Sequence, residues 1–218
     1  PHAAPVFFGL SSVTRFPVAI SVHFVTDYSK RTKMYGFGGR DMRRIAIGSM
    51  GIALLLNAAI FGFFYAWICS TMWGLDATDP RVAIEAMQAM NSSVRNATFA
   101  PAFFGTPFAL WIAGVLLWKV QSHRSAILFG AAGAIYFAFG LLLTLSVNVP
   151  MNEALALVTV PETIEEAETI WAAYSREWQV LNITRTIASG CALALAIAGV
   201  FTFAQGRDIR FAQGILPG

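Results

Sequence analysis

Four long apolar stretches divide this chain, at residues 45–69, 103–120, 126–147 and 183–203. Each is long enough to cross the hydrocarbon core of a bilayer as an α-helix. Between the first and second, Asp79 and Pro80 supply a cap and a first helical residue. Val82, Ala86, Met90 and Val94 then recur near helical spacing, which predicts a helix over 79–96. Between the third and fourth, Pro161 and Glu162 open a second helix reaching residue 181, with Glu165, Glu166 and Glu168 crowded where a helix dipole favours acids. No breaker separates it from the fourth span. Along it Trp171, Tyr174, Trp178, Asn182, Arg185 and Ser189 follow one another at steps of three or four, so all fall on one helix face. The expected fold is an all-α, four-transmembrane-helix bundle over 45–205, with helical extensions on the non-cytoplasmic side, an N-terminal arm over 1–44 and a tail over 206–218.

Charge orients the bundle. Arg15, Lys30, Arg31, Lys33, Arg40, Arg43 and Arg44 precede the first span, Lys119 and Arg124 lie between the second and third, and Arg207 and Arg210 follow the fourth. The opposite side holds Arg81, Arg95, Arg176, Arg185 and most of the acids. The excess of basic residues places both termini on the cytoplasmic or matrix side of a bacterial or mitochondrial inner membrane. The chain begins at Pro1 rather than Met, which fits a processed product. Residues 1–44 are too interrupted by Ser11, Ser12, Arg15 and Pro17 to make a span. An arm without a core of its own is ordered only when something holds it, and the expected holder is a partner subunit.

Composition agrees. Of 218 residues, 56% are hydrophobic and only 12% charged, well off the soluble balance, and the mean hydropathy is +0.61. The basic residues flank spans rather than forming a basic domain, so nucleic acid is not an expected partner; membrane lipids are. Cys69 and Cys191 form no C-x-x-C pair and read as buried structural thiols. His2, His23 and His123 lie outside the spans, so a metal site inside the membrane lacks its usual ligands.

Candidate chemistry clusters on the acidic side. Met90, Asn91, Arg95 and Asn96 lead through Phe99, Pro101 and Phe103 into Gly105-Thr106-Pro107, where proline should kink the helix and free backbone carbonyls. The third span carries Tyr136 and Thr144 and reaches Asn148-Val149-Pro150-Met151-Asn152, with Pro150 expected to stop the helix. Asn148 and Asn152 either cap helix ends or face a ligand. Trp171, Tyr174 and Trp178 are either an interfacial aromatic belt or a stacking wall. Arg185, a guanidinium followed by apolar sequence, either bonds helix-end carbonyls or Glu177, or binds a ligand.

The succession Met90-Asn91, Arg95-Asn96, Phe103-Phe104-Gly105-Thr106-Pro107, Tyr136, Asn148 through Asn152, Trp171-x-x-Tyr174, Trp178 and Asn182-x-x-Arg185-Thr186 resembles the anthrone oxygenase-like family of small four-span membrane proteins, over roughly residues 45–205. The run from Asn148 through Thr186 is the specific part. The resemblance implies the four-span fold. A few fungal members are assigned to oxidation of anthrones to anthraquinones, which implies a reaction without metal or flavin. In that case Arg185, Asn148 and Asn182 would stabilise the substrate oxyanion. Trp171, Tyr174, Trp178 and Phe103 would stack on its rings, with Arg95, Asn91, Thr106, Tyr136 and Asn152 completing the pocket. Glu177 would be the candidate base.

Two functions follow as expectations. One is an accessory subunit of a respiratory or photosynthetic membrane complex, docked through residues 1–44 and carrying a lipid- or quinone-like pocket. The other is a cofactor-independent oxygenase of the anthrone type. A transporter is disfavoured by a single intramembrane charge and no internal repeat.

Overall fold

A computed structural model describes the backbone of residues 18–212 and the side chains of residues 38–206. The expected docking arm over 1–44 falls for most of its length outside the described side chains, as does the tail beyond 206. The chain divides into two compact units, residues 1–41 and 42–218. Of the first, the described part is the opening of helix α1 (Val18–Ala66). Everything below concerns the second.

Four helical rods are long and apolar enough to cross a membrane: Gly38–Asp76, Phe99–Lys119, His123–Ala156 and Ile164–Gly206. The expected four-helix membrane bundle is therefore the observed one, with rods longer than the sequence expectation. The first rod continues α1 through a π-helical stretch, Trp67–Thr71, into α2 (Met72–Asp76). Helix α3 (Pro80–Ser93) lies outside the bundle, α4 (Phe99–Lys119) is the second rod, and α5 (His123–Ile135) opens the third. The third continues through two π-helical stretches, Tyr136–Leu142 and Thr144–Asn148, into α6 (Val149–Ala156). Helix α7 (Ile164–Ala212) merges the acidic outer helix with the fourth span, as the missing breaker implied. It starts three residues after Pro161, with the Thr163 hydroxyl accepting from the Glu166 amide at 3.4 Å.

Two local expectations are corrected, and the inward face of α3 is settled. Pro150 does not stop the third helix, which runs on to Ala156. A proline ring clashes with the carbonyl four residues back in a regular helix, and the widened turns directly before it accommodate the ring. Cys69 and Cys191 are exposed, not buried. The buried face of α3 is Ala83, Ile84 and Met87, while Val82 is exposed.

Packing follows from small residues where backbones must approach, as membrane helices require. A Cβ on Gly133 would meet the Trp111 ring at 2.5 Å, and one on Gly199 would meet the Phe129 ring at 2.8 Å. The membrane core gathers Ala53, Ile60, Phe64, Phe103, Leu110, Phe129 and Tyr136. A second core beyond it joins Trp67, Met72, Ile84, Met87, Leu155, Trp171 and Trp178, so the bundle continues past the bilayer on the α3 side. The turn between α4 and α5 closes with Ser122 N donating to Leu117 O at 2.9 Å and Gln121 N to Trp118 O at 3.0 Å. Gln121 adopts φ 62°, the left-handed residue that such a C-cap needs.

Pro107 sits inside α4. Having no N–H, it leaves the Phe103 carbonyl without its helical donor. The buried Tyr136 hydroxyl donates to that carbonyl at 2.9 Å, and Gly140 leaves the room for its ring, which a Cβ would meet at 2.7 Å. Tyr136 is thus tied to a proline on another helix. Tyr136→Phe should cost about 1–3 kcal/mol by orphaning a buried acceptor. In a Pro107→Ala background, where residue 107 regains its own N–H, most of that cost should vanish. A thermal-unfolding double-mutant cycle in detergent checks the coupling.

The sequence-expected cap of α3 is present. Asp79 Oδ1 accepts from Arg81 N at 2.9 Å, and the Arg81 side chain bonds the same carboxylate. That guanidinium is the larger influence and holds the Asp79 carboxyl below its ordinary range. A carboxyl held low in the folded state stabilises above its ordinary titration range, and the effect is lost as pH falls through the lowered value. Amide protection at Arg81 and Ala83, taken relative to intrinsic exchange at each pH, should therefore fall on acidification in wild type and change less in Asp79→Asn.

Candidate functional site

The stripe on α7 is buried along its whole length: Trp171, Tyr174, Trp178, Asn182, Arg185 and Ser189 are all under 9% exposed. Its members nevertheless serve different neighbours. Trp171 Nε1 donates to Asp76 Oδ1 at 2.9 Å, and Ser175 Oγ and Gln179 Nε2 bond the same carboxylate. Trp171 thereby ties α7 to the end of the first rod. Tyr174 belongs to a closed ring of three hydrogen bonds. Its hydroxyl donates to Asn152 Oδ1 at 2.8 Å, Asn152 Nδ2 donates to Asn91 Oδ1 at 3.0 Å, and Asn91 Nδ2 returns to the Tyr174 oxygen at 3.3 Å. This ring joins α7, α6 and α3, each donor polarising the next. Asn152 is therefore a bridging residue and caps no helix.

Deeper on the same face lies Arg185, 5% exposed. Its Nη2 donates to Asn182 Oδ1 at 3.0 Å and its Nη1 to Thr144 Oγ1 at 3.3 Å. Asn182 is itself anchored, its Nδ2 donating to the Phe64 carbonyl at 3.0 Å. The guanidinium carbon stands 4.8 Å from the Phe64 ring centroid and 5.2 Å from that of Trp178. Trp178 in turn packs on Trp67 with centroids 4.9 Å apart. Aromatic faces are favourable partners for a cation, but they do not neutralise it. Among the described residues no ion pair reaches Arg185. Glu177, the partner and base suggested by the sequence, is exposed and does neither job. The Arg185 Nε–H, the Trp178 Nε1–H and both amide atoms of Asn148 are buried without partners. Asn148 shows no side-chain capping bond either. Four residues before it, Thr144 carries the hydroxyl that Arg185 bonds, so both sit on the same side of the third helix.

Arg185 and Trp178 form part of the wall of a cavity of about 990 Å³. Phe63, Phe64, Trp67, Phe99 and Phe103 make much of that wall aromatic, and Phe99 and Phe103 are stacked at 5.2 Å. The exposed end carries Asn91, Asn152 and an Arg95–Glu153 ion pair at 3.3 Å. Of the residues expected at the site, Arg185, Trp178, Phe103, Asn91, Arg95 and Asn152 line this space. Asn182 bonds Arg185, and Asn148 lies four residues after the Thr144 that Arg185 also bonds; both fall outside the lining. Trp171, Tyr174, Tyr136 and Thr106 are committed to Asp76, Asn152, Phe103 and Ala102, the last by a 2.6 Å bond to the carbonyl a turn back. Trp67, Phe64 and Glu153 were not singled out from the sequence. Glu153 carried a signal in its position beside the Asn148–Asn152 run, whereas Trp67 looked like any interfacial tryptophan. Among the described residues no group of three His, Cys, Asp or Glu side chains could hold a metal ion.

An uncompensated buried cation costs stability, and replacing it with an apolar chain of similar length removes that cost. Arg185→Met should therefore unfold within about 1 kcal/mol of wild type, or later. A residue holding the bundle together would instead lose several kcal/mol on removal of its buried hydrogen bonds. Thermal unfolding of the two proteins in one detergent distinguishes these outcomes.

The model of the family described as anthrone oxygenase matches residues 91–195. That stretch begins at Asn91 and contains Arg95, Phe103, Tyr136, Asn148, the α7 stripe and Arg185; it leaves out the first rod. Neither a curated protein nor a solved structure matches the chain. The chain thus has four helices long and apolar enough to cross a membrane, and the stretch that builds the site, residues 91–195, is similar to the anthrone oxygenase family.

Proposed function

We propose that the cavity binds a flat, weakly acidic aromatic, that Arg185 holds its oxyanion, and that the protein is a cofactor-independent oxygenase of the anthrone type. The observation that carries this is a buried guanidinium with no carboxylate partner among the described residues, placed on the wall of an aromatic cavity. Structural arginines in a membrane bundle pair with acids or backbone carbonyls; this one bonds a neutral amide and a hydroxyl and lines the cavity. A cavity of about 990 Å³ stands at the upper end of the range for small-molecule sites and accommodates a three-ring body.

The chemistry asks little of the protein. The C10 proton of an anthrone leaves to a base, and Glu153 is the carboxylate on the lining. The enolate oxygen takes its charge against Arg185. Dioxygen accepts the electrons of C10 and forms a C–O bond, giving a peroxide that is protonated. Loss of the second C10 hydrogen as a proton cleaves the O–O bond and releases water, so anthrone and O₂ become anthraquinone and water. Fixed dipoles and a cation in a dry site stabilise the enolate more than solvent does.

The same wall would also take the head of a quinone-like lipid, the ligand expected of an accessory subunit. The asymmetry of basic residues supports termini on the cytoplasmic or matrix side. Oxygen uptake separates the two functions. Reconstituted protein given anthrone should consume one O₂ per anthraquinone formed. Arg185→Gln should lower kcat/KM about 100-fold or more, the usual loss on removing an oxyanion donor. Uptake that ignores Arg185 contradicts the site; no uptake with anthrone contradicts the activity and favours the accessory role.

A further inference from the structure

The lining of this cavity is exposed at two different places. One is the polar end, where the Arg95 and Glu153 side chains are each 59% exposed. The other is apolar: Phe63, Phe104 and Leu145 are 36%, 46% and 44% exposed while also lining the cavity. They come from three different rods, all of membrane length. Exposed leucine and phenylalanine inside such rods face acyl chains, not water.

Depth can be estimated from the basic residues that flank the rods on the opposite side. A hydrocarbon core takes about 20 helical residues to cross. Counting that many from Arg44 along the first rod ends just beyond Phe63, and counting back from Lys119 along α4 ends well before Phe104. Counting from Arg124 along the third rod ends beside Thr144 and Leu145. The Arg185 guanidinium, bonded to Thr144 at 3.3 Å, thus sits at the hydrocarbon boundary, with the aromatic wall extending inward from it. A weakly acidic aromatic dissolved in one leaflet adopts the same arrangement, its oxygen at the boundary and its rings among the chains.

We propose that the cavity is loaded sideways from the bilayer, through the gap flanked by Phe104 and Leu145, and that its substrates are membrane-dissolved aromatics that keep their depth as they slide from lipid to Arg185. This rests on the oxyanion-binding function proposed above. The polar end with Arg95 and Glu153 then serves water and protons, and substrate does not pass it.

The test uses the full chain in phosphatidylcholine vesicles, with anthrone as probe and oxygen uptake as readout. Leu145→Trp and Phe104→Trp, which bulk up the apolar gap, should each lower kcat/KM about tenfold while leaving kcat within about twofold, as expected when access and not chemistry is blocked. Ala97→Trp, which bulks up the polar end of the same lining instead, should lower kcat/KM less than about twofold, because substrate does not pass there. Leu145→Ala, which cannot plug the gap, should keep or raise kcat/KM. The proposal is overturned if Ala97→Trp is the variant that blocks, or if Leu145→Trp and Leu145→Ala lose activity equally, which reports damage and not blockage. In either case an intact Arg185 dependence leaves the oxyanion site standing. Absence of anthrone oxidation by the wild type overturns both.

Discussion

A positive charge buried without a negative one among the described residues is the constraint around which this bundle is arranged. Arg185 is 5% exposed, and a guanidinium taken out of water costs several kcal/mol unless its surroundings answer it. Here the answer is partial: the Asn182 carbonyl oxygen, the Thr144 hydroxyl, and the faces of Phe64 and Trp178. Each of these is fixed by something else. Asn182 is tied to the Phe64 carbonyl, the Thr144 hydroxyl donates to Gly140 O at 2.6 Å, and Trp178 rests on Trp67. The site is a cation held in place by neutral groups with positions of their own, and the proposed oxyanion role calls on that kind of preorganisation.

The irregular helices belong to the same design. The π-helical stretches at Trp67–Thr71, Tyr136–Leu142 and Thr144–Asn148 supply Trp67, which packs on Trp178, Tyr136, which bonds the Phe103 carbonyl, and Thr144, which bonds Arg185. Such widened turns recur at functional sites because they rotate side chains away from their regular positions. The ones before Asn148 also let Pro150 sit within a continuous helix. The Pro107 defect in α4 is closed from the third rod by Tyr136. Irregularity in one helix is thus satisfied by a polar group from another, as the bilayer requires.

Much of this was legible in the chain. Four spans follow from the length of apolar runs, the Asp79 cap from Asp-Pro, and the buried face of α7 from steps of three and four. The division of that face was not legible. Trp171, Tyr174 and Arg185 look alike in spacing, yet Trp171 meets Asp76 at the end of the first rod while Tyr174 and Arg185 meet Asn152 and Thr144 at different levels of the third. Which angular position a neighbour presents is decided by packing, and one helix's periodicity does not encode its neighbour's rotation. Pro150 was misjudged because the usual proline rule assumes regular turns before it. The inward face of α3 was not legible, because a 14-residue helix carrying apolar residues on several sides does not define its own inward direction. Glu153 escaped notice because an exposed acid near a helix end resembles any solvated residue.

The role proposed for Arg185 is to stabilise an aromatic oxyanion. The most direct measurement is the absorbance of anthrone bound to the reconstituted protein under strictly anaerobic conditions, titrated with pH. If the account is right, wild-type protein will hold the anthrone as its enolate at a pH at least about one unit below that at which anthrone ionises in the same vesicles without protein, equivalent to about 1.4 kcal/mol of anion stabilisation. Arg185→Gln will bind it as the neutral ketone. Bound anthrone that ionises at the same pH in both proteins would contradict the account.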